Sequence, residues 1–299
     1  LFIDIHAHAY RKSPPSPVRF CTPEQVLERY DQAGIERGAL LPIVSPEVYL
    51  PQANEDILEM AAQYPDRFIP FCNLDPRALT NSPDAPLGDL LRYYRDQGCR
   101  GLGEVMPNLP WLDPRMQNLL YHAQGVGLPV IFDGSDQLGG DFGLYDEPGL
   151  PQLEQTLQRF PDLIILGHGP TFWSEMGPLE PPTDPRAVFR PHAGQTARVR
   201  PSGPIEREGR VAELLRRYPN LYGDLSDWNP WNALARDPDY GVRFLEEFQD
   251  RLLFGTDICS YDSPFLMADL LRQWREEGPV SETVFRKVAR ENAVRLLGL

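Results

Sequence analysis

The chain alternates short apolar runs with longer amphipathic stretches, and it does so eight times. The apolar runs, 2–7, 38–44, 67–74, 100–106, 129–134, 163–168, 220–226 and 252–258, are the predicted strands. Most are continuously apolar rather than alternating, as in parallel strands buried on both faces. Four amphipathic stretches end alike, in an aromatic residue, then Pro or Gln, then Asp or Asn, at Tyr64, Phe160, Tyr218 and Phe248. Pro just past a helix cannot continue it, and the β-branched and aromatic residues that follow favour extended backbone, so each marks a helix-to-strand joint. Three more joints use glycine, at Gly34, Gly98 and Gly125 or Gly127, where a left-handed cap costs little. The first helix shows its own start, with Thr22 as N-cap, Pro23 in the first turn and Val26, Leu27 and Tyr30 on one face.

Eight alternations predict an α/β fold, a single-domain (β/α)8 TIM-like barrel over residues 1–299. The competing open, doubly wound sheet lacks its glycine-rich fingerprint after the first strand. One segment breaks the rhythm. Residues 169–208 follow the sixth strand, are rich in Pro and Gly, and carry Arg186, Arg190, Arg198, Arg200 and Arg207. They form an insertion leaving from the rim where barrel active sites lie, expected as an active-site lid in which His192, Arg198 and Arg200 meet an anionic substrate. A solvated loop is the competing reading.

Composition narrows the class. With 299 residues, 41% hydrophobic and 24% charged, the chain can bury one large core. A net charge of -14 argues against nucleic-acid or anionic membrane partners. Four scattered cysteines, Cys21, Cys72, Cys99 and Cys259, give neither a disulfide framework nor a zinc ribbon and fit a reducing, cytoplasmic setting. No apolar run reaches the roughly 18 residues of a membrane span. A homo-oligomer is left open.

The candidate chemistry lies at the strand ends. In "LFIDIHAHAY" two histidines stand one residue apart, and strand alternation puts Asp4, His6 and His8 on one face. The fourth strand ends in Glu104, the fifth in Asp133, the sixth in His168 and the eighth in Asp257. Several buried acids aimed at histidines need a cation to neutralise them, and mixed His and carboxylate donors suit zinc first and manganese second.

The ordered set "DIHAH", "GEV", "LGHG" and "GTD", closed by "ARENAVRLLGL", resembles the amidohydrolase superfamily, in its amidohydrolase-related branch of metal-dependent hydrolases and decarboxylases, nearly end to end. The resemblance implies that His6, His8 and Asp257 bind metal and that His168 is either a second-metal ligand or a catalytic histidine. It also matches Glu104 to a metal-ligating glutamate. The family commonly has a histidine where Asp133 stands; here Asp133 substitutes as a ligand, or Glu104 completes the shell, or the site is weakened. One or two divalent ions are expected. The implied reaction is hydrolysis of a small-molecule ester, lactone or amide by a metal-activated water, with Asp257 taking the proton and His168 stabilising the oxyanion. The alternatives are nonoxidative decarboxylation of an unsaturated or aromatic acid, and a non-catalytic barrel with a degraded site.

Other polar and aromatic residues near the rim are weighed against packing. Asp224 is expected as support at the end of the seventh strand, and Trp228 as a wall of the substrate pocket. His122, on a predicted outer helix, is expected to be structural, and nothing makes Cys259 a nucleophile.

Overall fold

The computed structural model describes residues 1–48, 50, 52–179 and 201–299. Eight parallel strands form the barrel: β1 (Phe2–Ala7), β2 (Ile35–Leu40), β3 (Phe68–Pro70), β4 (Leu102–Val105), β5 (Val130–Phe132), β6 (Ile165–Gly167), β7 (Leu221–Asp224) and β8 (Leu252–Leu253). They run as a sheet of three, β1 to β3, and a sheet of five, β4 to β8. Two parallel bridges, Cys72 with Leu102 and Ala7 with Ile258, join the sheets into a closed ring. The last seam is the one that matters for the site. There Ile5 N donates to Phe254 O at 3.0 Å, Asp257 N to His6 O at 2.8 Å and His8 N to Ile258 O at 3.0 Å.

The helix ends explain why the chain folds this way. Tyr64, Phe160, Tyr218 and Phe248 each cap the C-terminus of a helix, as the aromatic joints predict. Gly34 and Gly127 cap two more in the left-handed region, at φ 64° and 78°. Thr22 closes a capping box with Gln25. The second strand differs from its predicted span, since it begins at Ile35, directly after the Gly34 cap, and ends before Pro42. Glu36 and Arg37 disguise its start; at the bottom of the barrel their side chains lie at the surface, with Glu36 paired to Arg290.

Ile3, Ile5, Ala39, Leu41, Ile69, Phe71, Ile131, Leu166 and Leu253 fill the barrel, and Ala293 and Leu297 of the last helix plug its N-terminal end. That leaves the other end for polar side chains. The start of segment 169–208 is not a loop. Residues Gly169–Trp173 form a short helix and Ser174–Met176 a 3-10 turn, with Phe172 and Trp173 fully buried. Proline at the first turn favours a helix as much as its end, so composition alone misjudges these residues. Among the described residues, no helix is long and apolar enough to cross a membrane.

Candidate active site

His6 and His8 leave β1 at the open end with their Nε2 atoms 3.1 Å apart. Each ring is held from behind. His6 Nδ1 lies 2.7 Å from Asp224 Oδ2, and His8 Nδ1 lies 2.9 Å from Leu41 O. Both partners accept, so both Nδ1 atoms carry the hydrogen and both Nε2 lone pairs face the same point. Asp4 does not join them. The β1 register is irregular between Asp4 and Ala7, which turns the Asp4 carboxylate to accept from the Tyr30 hydroxyl, Thr256 N and His6 N at 2.7, 2.9 and 2.9 Å. Burial pushes the Asp4 carboxyl up to about 6, against the pull of those bonds. It is a clamp between the first and last strands.

Asp257 Oδ1 stands 3.6 Å from His6 Nε2 and 3.3 Å from His8 Nε2. These spacings fit one face of a coordination shell, because bonds of about 2.0–2.1 Å at tetrahedral angles separate donors by roughly 3.3 Å. Asp257 holds φ at 51°, left-handed for a non-glycine, with its N–H fixed on His6 O. Glu104 reaches both halves of the site. Its Oε2 is 3.6 and 3.5 Å from the two Nε2 atoms, while its Oε1 is 3.6 Å from His168 Nε2. Donor atoms of Glu104, Asp133 and His168 lie within 4.8 Å of one another, as do those of His6, His8 and Asp257. Asp133 accepts from Gly134 N at 2.7 Å and abuts Gly169, which sits at φ 81° where a Cβ would fall 1.8 Å from Asp133 Oδ1.

His168 is bonded through Nδ1 to Ser226 Oγ at 3.0 Å and faces Asp224 Oδ2 at 3.3 Å. Asp224 therefore serves two imidazoles, and the Trp173 indole donates to its backbone carbonyl at 3.0 Å. All six of the predicted donors converge, with Asp257 the most accessible at 21% side-chain exposure. Trp228 starts the helix after β7, half-buried, its ring 5.9 Å from Trp231. His122 packs against Gly88 in the helix layer, as expected. His192, Arg198 and Arg200 lie outside the described residues, as does most of the expected lid. Ser226, Thr256 and Tyr30 were not foreseen; single hydroxyls carry no spacing signal.

The electrostatics are those of a site built around positive charge. Burial alone would lower the His168 pKa, but the Asp224 and Glu104 carboxylates outweigh it and raise it to about 9. His6 is likewise raised, against its burial, by Asp224 and Asp257. Glu104 is lowered despite burial by the histidines around it, whereas burial and the Glu104 charge raise Asp133. These shifts mark positions that favour positive charge, and a divalent cation held there would compete with protons for the same nitrogens. The donor set thus fits a metal.

An amidohydrolase family model matches residues 3–299. The chain belongs to the amidohydrolase family. It is an enzyme that uses a divalent metal, which sets aside the non-catalytic barrel. Among similar solved structures is a 5-carboxyvanillate decarboxylase from Sphingomonas paucimobilis, with TM-score 0.62, 15% identity, and 100% and 99% of the two chains covered. A dihydroxybenzoic acid decarboxylase from Polaromonas sp., with bound manganese and the inhibitor 2-nitroresorcinol, aligns at TM-score 0.63 and 18% identity over 100% and 97%. A probable 2-pyrone-4,6-dicarboxylic acid hydrolase from Acinetobacter baumannii, with citric acid bound, gives 0.58 and 14% over 100% and 99%. At these identities the likeness is one of fold, a TIM barrel. No curated protein matches the chain.

Proposed function

We propose that this amidohydrolase hydrolyses a small-molecule ester, lactone or amide. His6, His8 and Asp257 would hold one divalent ion, zinc in preference to manganese, and Glu104, Asp133 and His168 would hold a second. The observation that carries the reading is the placement of Glu104 between the two halves. When bound, a divalent ion polarises a carbonyl oxygen and lowers the pKa of water to about 7. Asp257, the acid open to solvent, accepts the proton of the attacking water and passes it to the leaving group. His168, held by Ser226 and Asp224, donates to the developing oxyanion when only the first ion is present.

Decarboxylation is the second reading, favoured by the activities of two structural neighbours. Asp257, the donor with the most exposed carboxylate, is placed to take a proton from water, which speaks for hydrolysis. The small oxygen-rich ligands of the neighbours support a small-molecule substrate. The test is elemental analysis of the purified protein and of His6→Ala, followed by assays for lactone hydrolysis and for carbon dioxide release from aromatic acids. One or two equivalents of zinc, lost in the folded variant, with lactone turnover, support the reading. Carbon dioxide release without hydrolysis overturns it.

A further inference from the structure

At the end of the barrel opposite the donor set lies an open groove of about 450 Å³, within the roughly 300–1,000 Å³ of small-ligand sites. It is bounded by the helix Asn54–Gln63, by β3, by the turn after the helix Leu87–Asp96 and by the Gly298 cap of the last helix. Leu58, Ala61, Ala62, Pro65 and Pro70 give it an apolar wall, and Arg37 and Arg100 also line it. No Asp or Glu does, in a chain with 43 acids to 29 bases. The acids near these arginines in sequence are engaged elsewhere, Asp31 with Arg67, Glu36 with Arg290 and Asp96 with Arg95. Among the described residues neither Arg37 nor Arg100 forms an ion pair. Arg37 makes one long bond inside the fold, Nη2 to Pro65 O at 3.4 Å, and its enclosed Nε has no acceptor. A guanidinium always carries its charge and offers five donors in a fixed fork, so the fold leaves most of this one unused. Arg100 is exposed, and its backbone is tied to the same wall, Arg100 N donating to Pro70 O at 2.9 Å.

We propose that this groove is a second ligand site, for a small amphipathic oxyanion whose carboxylate or phosphate head lies on Arg37 and Arg100 and whose apolar tail follows the wall. Arginine forks match both heads. Area speaks against a protein partner. Of the large apolar side chains that stand exposed among the described residues, only Leu299 borders the groove, whereas a stable interface covers about 800 Å² on each partner. The proposal is independent of the hydrolase reading, because the groove shares no residue with the donor set.

The experiment is calorimetric titration of the metal-loaded protein with octanoate and with octyl phosphate, against 1-octanol, which lacks the head, and acetate, which lacks the tail. The better of the two anions is expected to bind at least about tenfold tighter than either control, and it names the head. Arg37→Gln and Arg100→Gln are each expected to weaken that binding about five- to tenfold, with unchanged metal content. Arg100 is exposed, so its variant carries the test if Arg37→Gln fails to fold. His6→Ala is expected to leave the affinity unchanged, whereas an anion held by a metal in the donor set would be lost with it. Affinity lost in folded His6→Ala overturns the proposal. So do affinity indifferent to both arginines, binding no tighter than the controls, and no binding at all.

Discussion

Asp224 Oδ2 sits behind two rings, at Nδ1 of both His6 and His168, and orients them. A carboxylate behind a ligating imidazole fixes the tautomer and strengthens the donor nitrogen, and its loss typically costs 10–100-fold in metal affinity. Asp224→Asn is expected to weaken metal binding by about that factor in a folded protein, measured by competition with a calibrated chelator; unchanged affinity would contradict the role. The donors themselves were legible in the sequence, because His6, His8, Glu104, Asp133, His168 and Asp257 interrupt or end apolar strands. The doubled duty of Asp224 was not, since it depends on β1, β6 and β7 meeting across the barrel. Nor was the turn of Asp4 away from His6, which a local register irregularity causes and no residue type announces.

At the level of elements, the helix Pro151–Arg159 shows a cap made at a distance. Leu150, at φ 51°, offers its N-terminus no side-chain bond, and Asp146 accepts from Gln152 N and Leu153 N at 3.0 and 2.8 Å instead. Burial pushes that carboxyl up to about 7, against the bonds it accepts. A raised carboxyl pKa means that folding takes up a proton between the unfolded value near 4 and about 7. The ionised form is therefore the penalised one, and this group's contribution worsens as pH rises through that window, by at most about 1.4 kcal/mol per pH unit. Asp146→Asn removes the titration, so the parent should lose stability relative to the variant between pH 5 and pH 8 in urea denaturation. A constant difference would show that Asp146 does not titrate there. Helix ends of the aromatic-Pro kind were all readable, because they state their own stop signal. Strand lengths were less so, as Glu36 and Arg37 are charged yet belong to β2.

Across the whole molecule, the ion and the fold support one another. A ligand that binds only the native state adds about 4 kcal/mol at a thousandfold excess over its Kd, and at about 2 °C per kcal/mol for a large chain this is roughly 8 °C. Stripping the metal with a chelator should lower the unfolding midpoint by about that amount, and re-addition of zinc should restore it. A midpoint indifferent to metal would mean that the donor set binds no ion in the folded chain. The barrel itself was visible in the eightfold rhythm of the sequence, whereas its closing seam was not.

That seam sets an order of events at the ribosome. His6 and His8 precede the other donors along the chain, Asp224 lies 218 positions after His6, and Thr256, just past β8, which locks Asp4, comes 252 positions after it. A nascent chain therefore exposes its histidine pair long before the matching carboxylates exist. Contacts of such wide sequence separation form late and slowly. The emerging polypeptide can hold a stray cation only loosely, and firm capture waits until the last strand has been translated and docked.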